Sequence, residues 1–198
     1  MSTRFLVVGT LVGAIVLFAW QTVSNAALPW HMATMTEFAN DSATARTIRA
    51  AAPQNGVYFS KYGILAAVRI TPTFTDITSG SAIGSMLGKQ LGLDLAAALL
   101  VVLLLGRFPA EGAVRTGVTS ALAALAVGAV IELSNAIWYG FAASYSLVNV
   151  VDLTISFFLV GATLAALRAR MERVAPTEER PAVQAKGGLP TSGSGARV

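Results

Sequence analysis

The sequence predicts an all-α integral membrane protein: a four-helix transmembrane bundle with a small α+β extracytoplasmic cap between spans 1 and 2. Three observations carry this. The 198-residue chain is 55% hydrophobic and only 12% charged, with a mean hydropathy of +0.65, too little charge to cover a soluble domain of that length. Its apolar residues come in runs close to the ~20 residues that cross a bilayer as a helix. Basic residues flank those runs on alternate sides, the pattern that sets membrane topology.

Span 1 is read as residues 5–20, span 2 as 86–106, span 3 as 116–139 and span 4 as 145–167, with the cap over 21–85. Arg4 precedes the first span, Arg107 and Arg115 lie in the second connection, and Arg168, Arg170 and Arg173 follow the fourth. The third connection, "GFAASYS", has no Lys or Arg. The positive-inside rule therefore places both termini and the second connection in the cytoplasm. Trp20, Trp30, Trp138 and Tyr139 then fall at the outer interface, where aromatic residues gather. A rival reading takes the first apolar run and "VSNAA" as a signal peptide cut after Ala26. The length of the run and its single flanking Arg4 favour retention as a span. The tail, 172–198, mixes charge with Pro, Gly and Ser and is expected to be disordered in the cytoplasm.

Within the cap, "NDSATARTIRAAAP" reads as one short helix, capped by Asp41 or Ser42 and stopped before Pro53. "GVYFSKYGILAAVRITPTF" is rich in aromatic and β-branched residues and reads as two strands joined near Lys61 to Gly63. This α-β-β unit is expected to rest on the membrane domain. It carries no Gly-rich phosphate loop and no Ser/His/Asp set with recognisable spacing. The chain has no cysteine and a single histidine, His31, so thiolate chemistry, disulfides and bis-histidine haem ligation within one chain are excluded. His31 lies in "LPWH": Pro29 turns the chain out of the helix, Trp30 anchors it, and His31 is expected to meet water or headgroups. The formal charge of +4 is spent on topology and does not indicate nucleic acid.

The polar residues inside the spans point to a site. Glu132 and Asn135 precede the short third connection, and Asn149 and Asp152 follow it. Each pair is spaced i, i+3 and so shares a helix face. With the turn at Gly140 to Ser144, Glu132 and Asp152 both lie ~12 Å below it at ~1.5 Å per residue. Span 2 enters with Lys89 and Gln90 and carries Asp94 a turn deeper. Lys89, Gln90, Asp94, Glu132, Asn135, Asn149 and Asp152 thus form a candidate intramembrane polar layer in the outer leaflet. Facing lipid, a charge costs ~2.5–3.5 kcal/mol on the gentlest scale, so these groups are expected to face inward. Lys89 balances only one of three acids, and the set would bind protons or a cation. The alternative is that the layer only hydrogen-bonds the helices together. Small residues complete the pattern: Gly9 and Gly13 in span 1, Gly84, Gly88 and Gly92 at the start of span 2, and Ala121, Ala124 and Gly128 in span 3. Such faces let helices approach closely.

"LPWH" at Leu28 to His31, "APQNGVYF" at Ala52 to Phe59 and "WYGFAASYSLVNVVDL" at Trp138 to Leu153 together give the chain its likeness. It resembles a group of small four-span bacterial inner-membrane proteins with an LPWH turn after the first span. The resemblance implies four retained spans and no catalytic residue. The expected function is that of a non-enzymatic accessory or scaffold subunit of a cytoplasmic-membrane complex. Its partners would be the lipid bilayer and either other membrane subunits or a second copy, with no cofactor and no nucleic acid. The alternative is a proton- or cation-sensitive binding or transport component built on the carboxylate layer. A membrane hydrolase is the weakest reading, because no nucleophile or metal set accompanies the acids.

Overall fold

The computed structural model describes residues 2–70 and 80–174, with backbone alone over 80–83. The segment 71–79 of the cap and nearly all of the tail lie outside the described residues. Among the described residues there are five α-helices and one β-hairpin: α1 (Thr3–Ala26), α2 (Asp41–Ala51), β1 (Gly56–Ser60), β2 (Ile64–Val68), α3 (Gly80–Leu105), α4 (Ala113–Tyr139) and α5 (Ala143–Val174). α1, α3, α4 and α5 are long and apolar enough to cross a membrane.

Each helix end has a local cause. The Ser2 hydroxyl accepts from the Phe5 amide at 3.2 Å and caps α1. α1 does not stop at Trp20 but continues through Gln21 to Ala26, where Gln21 bonds to Asp94 of α3, Ser24 meets Trp30 and His31 of the following turn, and Thr22 and Asn25 bond back to carbonyls of α1 itself. α2 is capped by Asn40, whose side-chain oxygen accepts from Ala43 at 3.3 Å, and not by Asp41 or Ser42. Asp41 instead occupies the first turn, where a carboxylate complements the helix dipole. α4 ends on Gly140 at φ 70°, a left-handed conformation that glycine reaches without a Cβ clash. Gly63, at φ 82°, closes the hairpin, in which Gly56 pairs with Val68 and Ser60 with Ile64.

Glycine contacts fix how the helices run. A Cβ on Gly9 would lie 3.1 Å from Val102, and one on Gly13 would lie 3.0 Å from Ala98, so α1 and α3 are antiparallel. On α4, a Cβ at Gly117 would meet Phe158 and Ala162 of α5 at 3.0 and 3.1 Å, and one at Gly128 would meet Leu153 at 3.0 Å. Phe5, Ala14 and Leu17 of α1, Ala98, Val101 and Val102 of α3, and Val160 and Leu164 of α5 make the buried core. The helices therefore pack in the order α3, α1, α5, α4, with a lesser α3–α5 contact, and α4 packs closely on α5 alone. This is an open arrangement and not a closed four-helix square. Among the described residues, α2 and the hairpin touch the long helices only marginally, and Val57, Phe59 and Ile64 are exposed.

At one end of the bundle, Arg168 of α5 donates to the carbonyls of Leu105 and Phe108 at 2.9 and 3.1 Å and pairs with Glu172 at 2.9 Å. It satisfies carbonyls that the end of α3 leaves without helical donors. The opposite end, which bears the cap, holds the polar residues.

The glycine stripes are thus not equivalent. Gly88 belongs to a stripe expected to pack, yet a Cβ there meets nothing within 4 Å. Gly13→Leu is expected to cost about 1–3 kcal/mol through overpacking and to lower the unfolding midpoint of the purified chain. Gly88→Leu is expected to leave that midpoint in place. Thermal unfolding in detergent, read side by side, checks both.

Candidate functional site

Asp152 is the centre of the polar cluster. α5 carries it into the space beside the last turns of α1, where the Trp20 indole donates to its Oδ1 at 2.6 Å. His31 Nε2 lies 3.4 Å from Oδ2, with the two side chains 9% and 13% exposed. The chain reaches this point because α1 ends at Ala26 and Leu28 and Pro29 turn it back, so His31 folds onto its own helix. His31 is buried, not at a water or headgroup boundary as its place in the sequence suggested. Burial is offset by hydrogen bonding: Nε2 is also 3.1 Å from Ser24 Oγ, and the Thr34 hydroxyl donates to the His31 carbonyl at 2.7 Å. Trp30 donates from Nε1 to both the carbonyl and the hydroxyl of Ser24, each at 3.1 Å. Its ring stands edge-on to Trp20 and to His31, with centroids 6.4 and 5.7 Å apart.

A second carboxylate is held between α1 and α3. Asp94 is 2% exposed, and its Oδ1 accepts from Gln21 Nε2 at 3.2 Å and from Gln90 Nε2 at 2.9 Å. Its Oδ2 is buried without a hydrogen-bond partner. The third, Glu132 of α4, accepts from Asn149 Nδ2 at 3.4 Å. Glu132 therefore faces Asn149, one turn nearer the connection than the expected opposition to Asp152. The α4–α5 register is set by Gly128 against Leu153, and that leaves Asp152 free to turn toward α1.

Between these groups is a cavity of about 450 Å³. Gln21, Asn25 and His31 line it from the side of α1, Gln90 from α3, Ile131 and Glu132 from α4, and Tyr145, Asn149, Asp152 and Leu153 from α5. It exists because α1 and α4 both pack on α5 but not closely on each other.

Of the expected layer, Gln90, Glu132, Asn149 and Asp152 line the cavity, and Asp94 sits behind Gln21 and Gln90. Lys89 does not join them: it is exposed, since α3 turns Gln90 and Asp94 toward α1 and leaves Lys89 on another face. Asn135 is half-buried and outside the lining. Trp138 and Tyr139 are exposed at the end of α4. Sequence reasoning missed Gln21, Ser24 and Asn25. Their spacing of i, i+3 and i+4 was the available signal, the same one that singled out Glu132 and Asn135.

The chemistry on offer is limited. Ser24, His31 and Asp152 meet, but hydroxyl and carboxylate share one ring nitrogen. In a nucleophilic relay the carboxylate holds the opposite nitrogen and leaves Nε2 for the hydroxyl. Ser24 is also fully buried and accepts from Trp30. Among the described residues, no three His, Asp or Glu side chains converge to hold a metal ion.

Asp152→Ala is expected to cost about 1–3 kcal/mol by leaving the Trp20 donor unpaired and His31 with Ser24 alone. Asp152→Asn is expected to cost less, since an amide oxygen still accepts from Trp20. Denaturant unfolding of the purified variants distinguishes the two.

No family model matches the chain, and no curated protein or solved structure matches it significantly, so the meaning of this cavity rests on its geometry.

Proposed function

We propose that the protein is a non-enzymatic, proton- or cation-sensitive binding component of a bacterial cytoplasmic membrane. Both termini would lie in the cytoplasm, with the cavity in the outer leaflet and open to the outside. The observation that carries this reading is the cavity itself. Helices that only hydrogen-bonded to one another would close onto their polar groups, whereas here Glu132, Asn149, Asp152 and His31 stand around about 450 Å³ of space. Pockets that take small molecules span roughly 300–1,000 Å³. The orientation is supported by Arg107 in the α3–α4 connection, Arg115 in the first turn of α4, and Arg168, Arg170 and Arg173 near the end of α5, all remote from the cavity.

A second reading, as an accessory or scaffold subunit, is favoured by α3. Its Gly84, Gly88 and Gly92 meet nothing within 4 Å, and Lys89 is exposed beside them. The two readings are compatible, since one face would bind a partner helix while the cavity serves the ligand.

The cavity reading requires water well below the helix ends. The chain has no cysteine, so single cysteines report cleanly. Leu153 lines the cavity, while Val151, at nearly the same depth, is 39% exposed on another face of α5. In lipid-embedded protein, Leu153→Cys is expected to react with a small, polar, uncharged thiosulfonate at least tenfold faster than Val151→Cys. Equal and negligible rates would sink the proposal.

A further inference from the structure

We infer that the occupant of this cavity is an ammonium group carried on a short aliphatic body, an inference that rests on the cavity being a wet binding site. The first ground is charge. Glu132 and Asp152 line the cavity, and among the described residues no Lys or Arg does. Its one basic side chain, His31, is already engaged with Asp152 and Ser24. Glu132 has only the neutral amide of Asn149, at 3.4 Å on one oxygen. Asp94, directly behind the wall, adds a third carboxylate whose only donors are the amides of Gln21 and Gln90, and its Oδ2 has none. Every described element around the cavity therefore supplies acceptors or acids, and among the described residues none supplies a fixed cation.

Size and ligand geometry then choose among cations. A bare metal ion needs several oxygen or nitrogen donors drawn close around one point. Among the described residues no three His, Asp or Glu side chains converge in that way, and about 450 Å³ is far more room than one ion fills. An ammonium has three N–H donors and no acceptor. Glu132, Asn149 and Tyr145, all in the lining, are side chains that can accept from it. Charge-assisted bonds of this kind are about twice as strong as neutral ones. The rest of the ligand would lie along Met35, Ile131 and Leu153, which make the apolar part of the same wall. Because α1 and α4 do not pack closely on each other, the ammonium could arrive on a free amine or on an aminophospholipid headgroup.

The test uses the full chain carrying Leu153→Cys. Its alkylation rate is measured in detergent at constant ionic strength with ethylammonium, 1,3-propanediammonium, potassium or neutral propanol. Either amine is expected to slow the reaction at least tenfold and saturably, with potassium and propanol leaving it unchanged. In lipid nanodiscs without added amine, phosphatidylethanolamine is expected to slow it relative to phosphatidylglycerol if the headgroup is the source. Slowing by soluble amines alone identifies a free amine; slowing by the lipid alone identifies the headgroup. Adding Glu132→Gln is expected to remove either effect while the cysteine still reacts. A reactive cysteine that no amine and no lipid protects overturns the ammonium assignment and leaves the wet cavity standing. Full protection surviving in the Glu132→Gln chain overturns it as well. The ammonium-over-potassium comparison needs no second variant, so it stands even where Glu132→Gln fails to fold. A cysteine that never reacts removes the cavity reading and this inference with it.

Discussion

The carboxylate of Asp152 is the constraint around which the polar end of the molecule is organised. A charge in the middle of apolar helices needs donors brought to it, because neither lipid nor hydrocarbon side chains supply any. Here they come from α1 and the turn after it: Trp20 on one oxygen, His31 on the other. The same demand explains why α1 runs a turn and a half beyond its apolar stretch, and why the chain folds back at Leu28 and Pro29. At the far end of α5, Arg168 performs the complementary task for the carbonyls of α3. α5 is thus joined to α1 and α3 by polar contacts at its two ends and by Val160 and Leu164 between them.

This division of labour accounts for the cavity. α4 meets α5 through glycine-lined contacts at Gly117, Gly128 and Gly161, which bring the two backbones close and fix their register. Nothing comparable joins α4 to α1. Glu132 and Asn149 are consequently held together along the α4–α5 contact, with His31 and Gln21 lining the same cavity from the side of α1. Tight packing on both sides of α5 is what keeps the space between its neighbours unfilled.

Much of this is legible in the amino-acid sequence. Hydropathy locates four long helices, Gly63 and the β-branched run locate the hairpin, and the charged and amide residues within the spans locate four of the cavity's lining groups. What escapes is rotational and long-range. Helix spacing shows that Gln90 and Asp94 share a face, but only packing against α1 decides that Lys89 is left off it. The symmetry about the third connection suggests that Glu132 opposes Asp152; the fit of Leu153 against Gly128 moves the register by a turn. Ending the first span at Trp20 follows from counting apolar residues, and it hides Gln21 and Ser24. The partner of Gln21 lies 73 residues away on α3, and that of Ser24 on the fold-back turn.

The bond between Trp20 and Asp152 spans 132 residues of chain, and that separation has a consequence for biosynthesis. At roughly 5–20 residues per second of translation, about 7–26 s separate the synthesis of the indole from that of its acceptor. Throughout that interval the Trp20 indole lacks its acceptor, whereas Gln21 meets Asp94 once α3 has been made. The polar contacts of Trp20 and His31 with Asp152 can therefore form only after α5 is made, which makes α5 the closing step of assembly at this end.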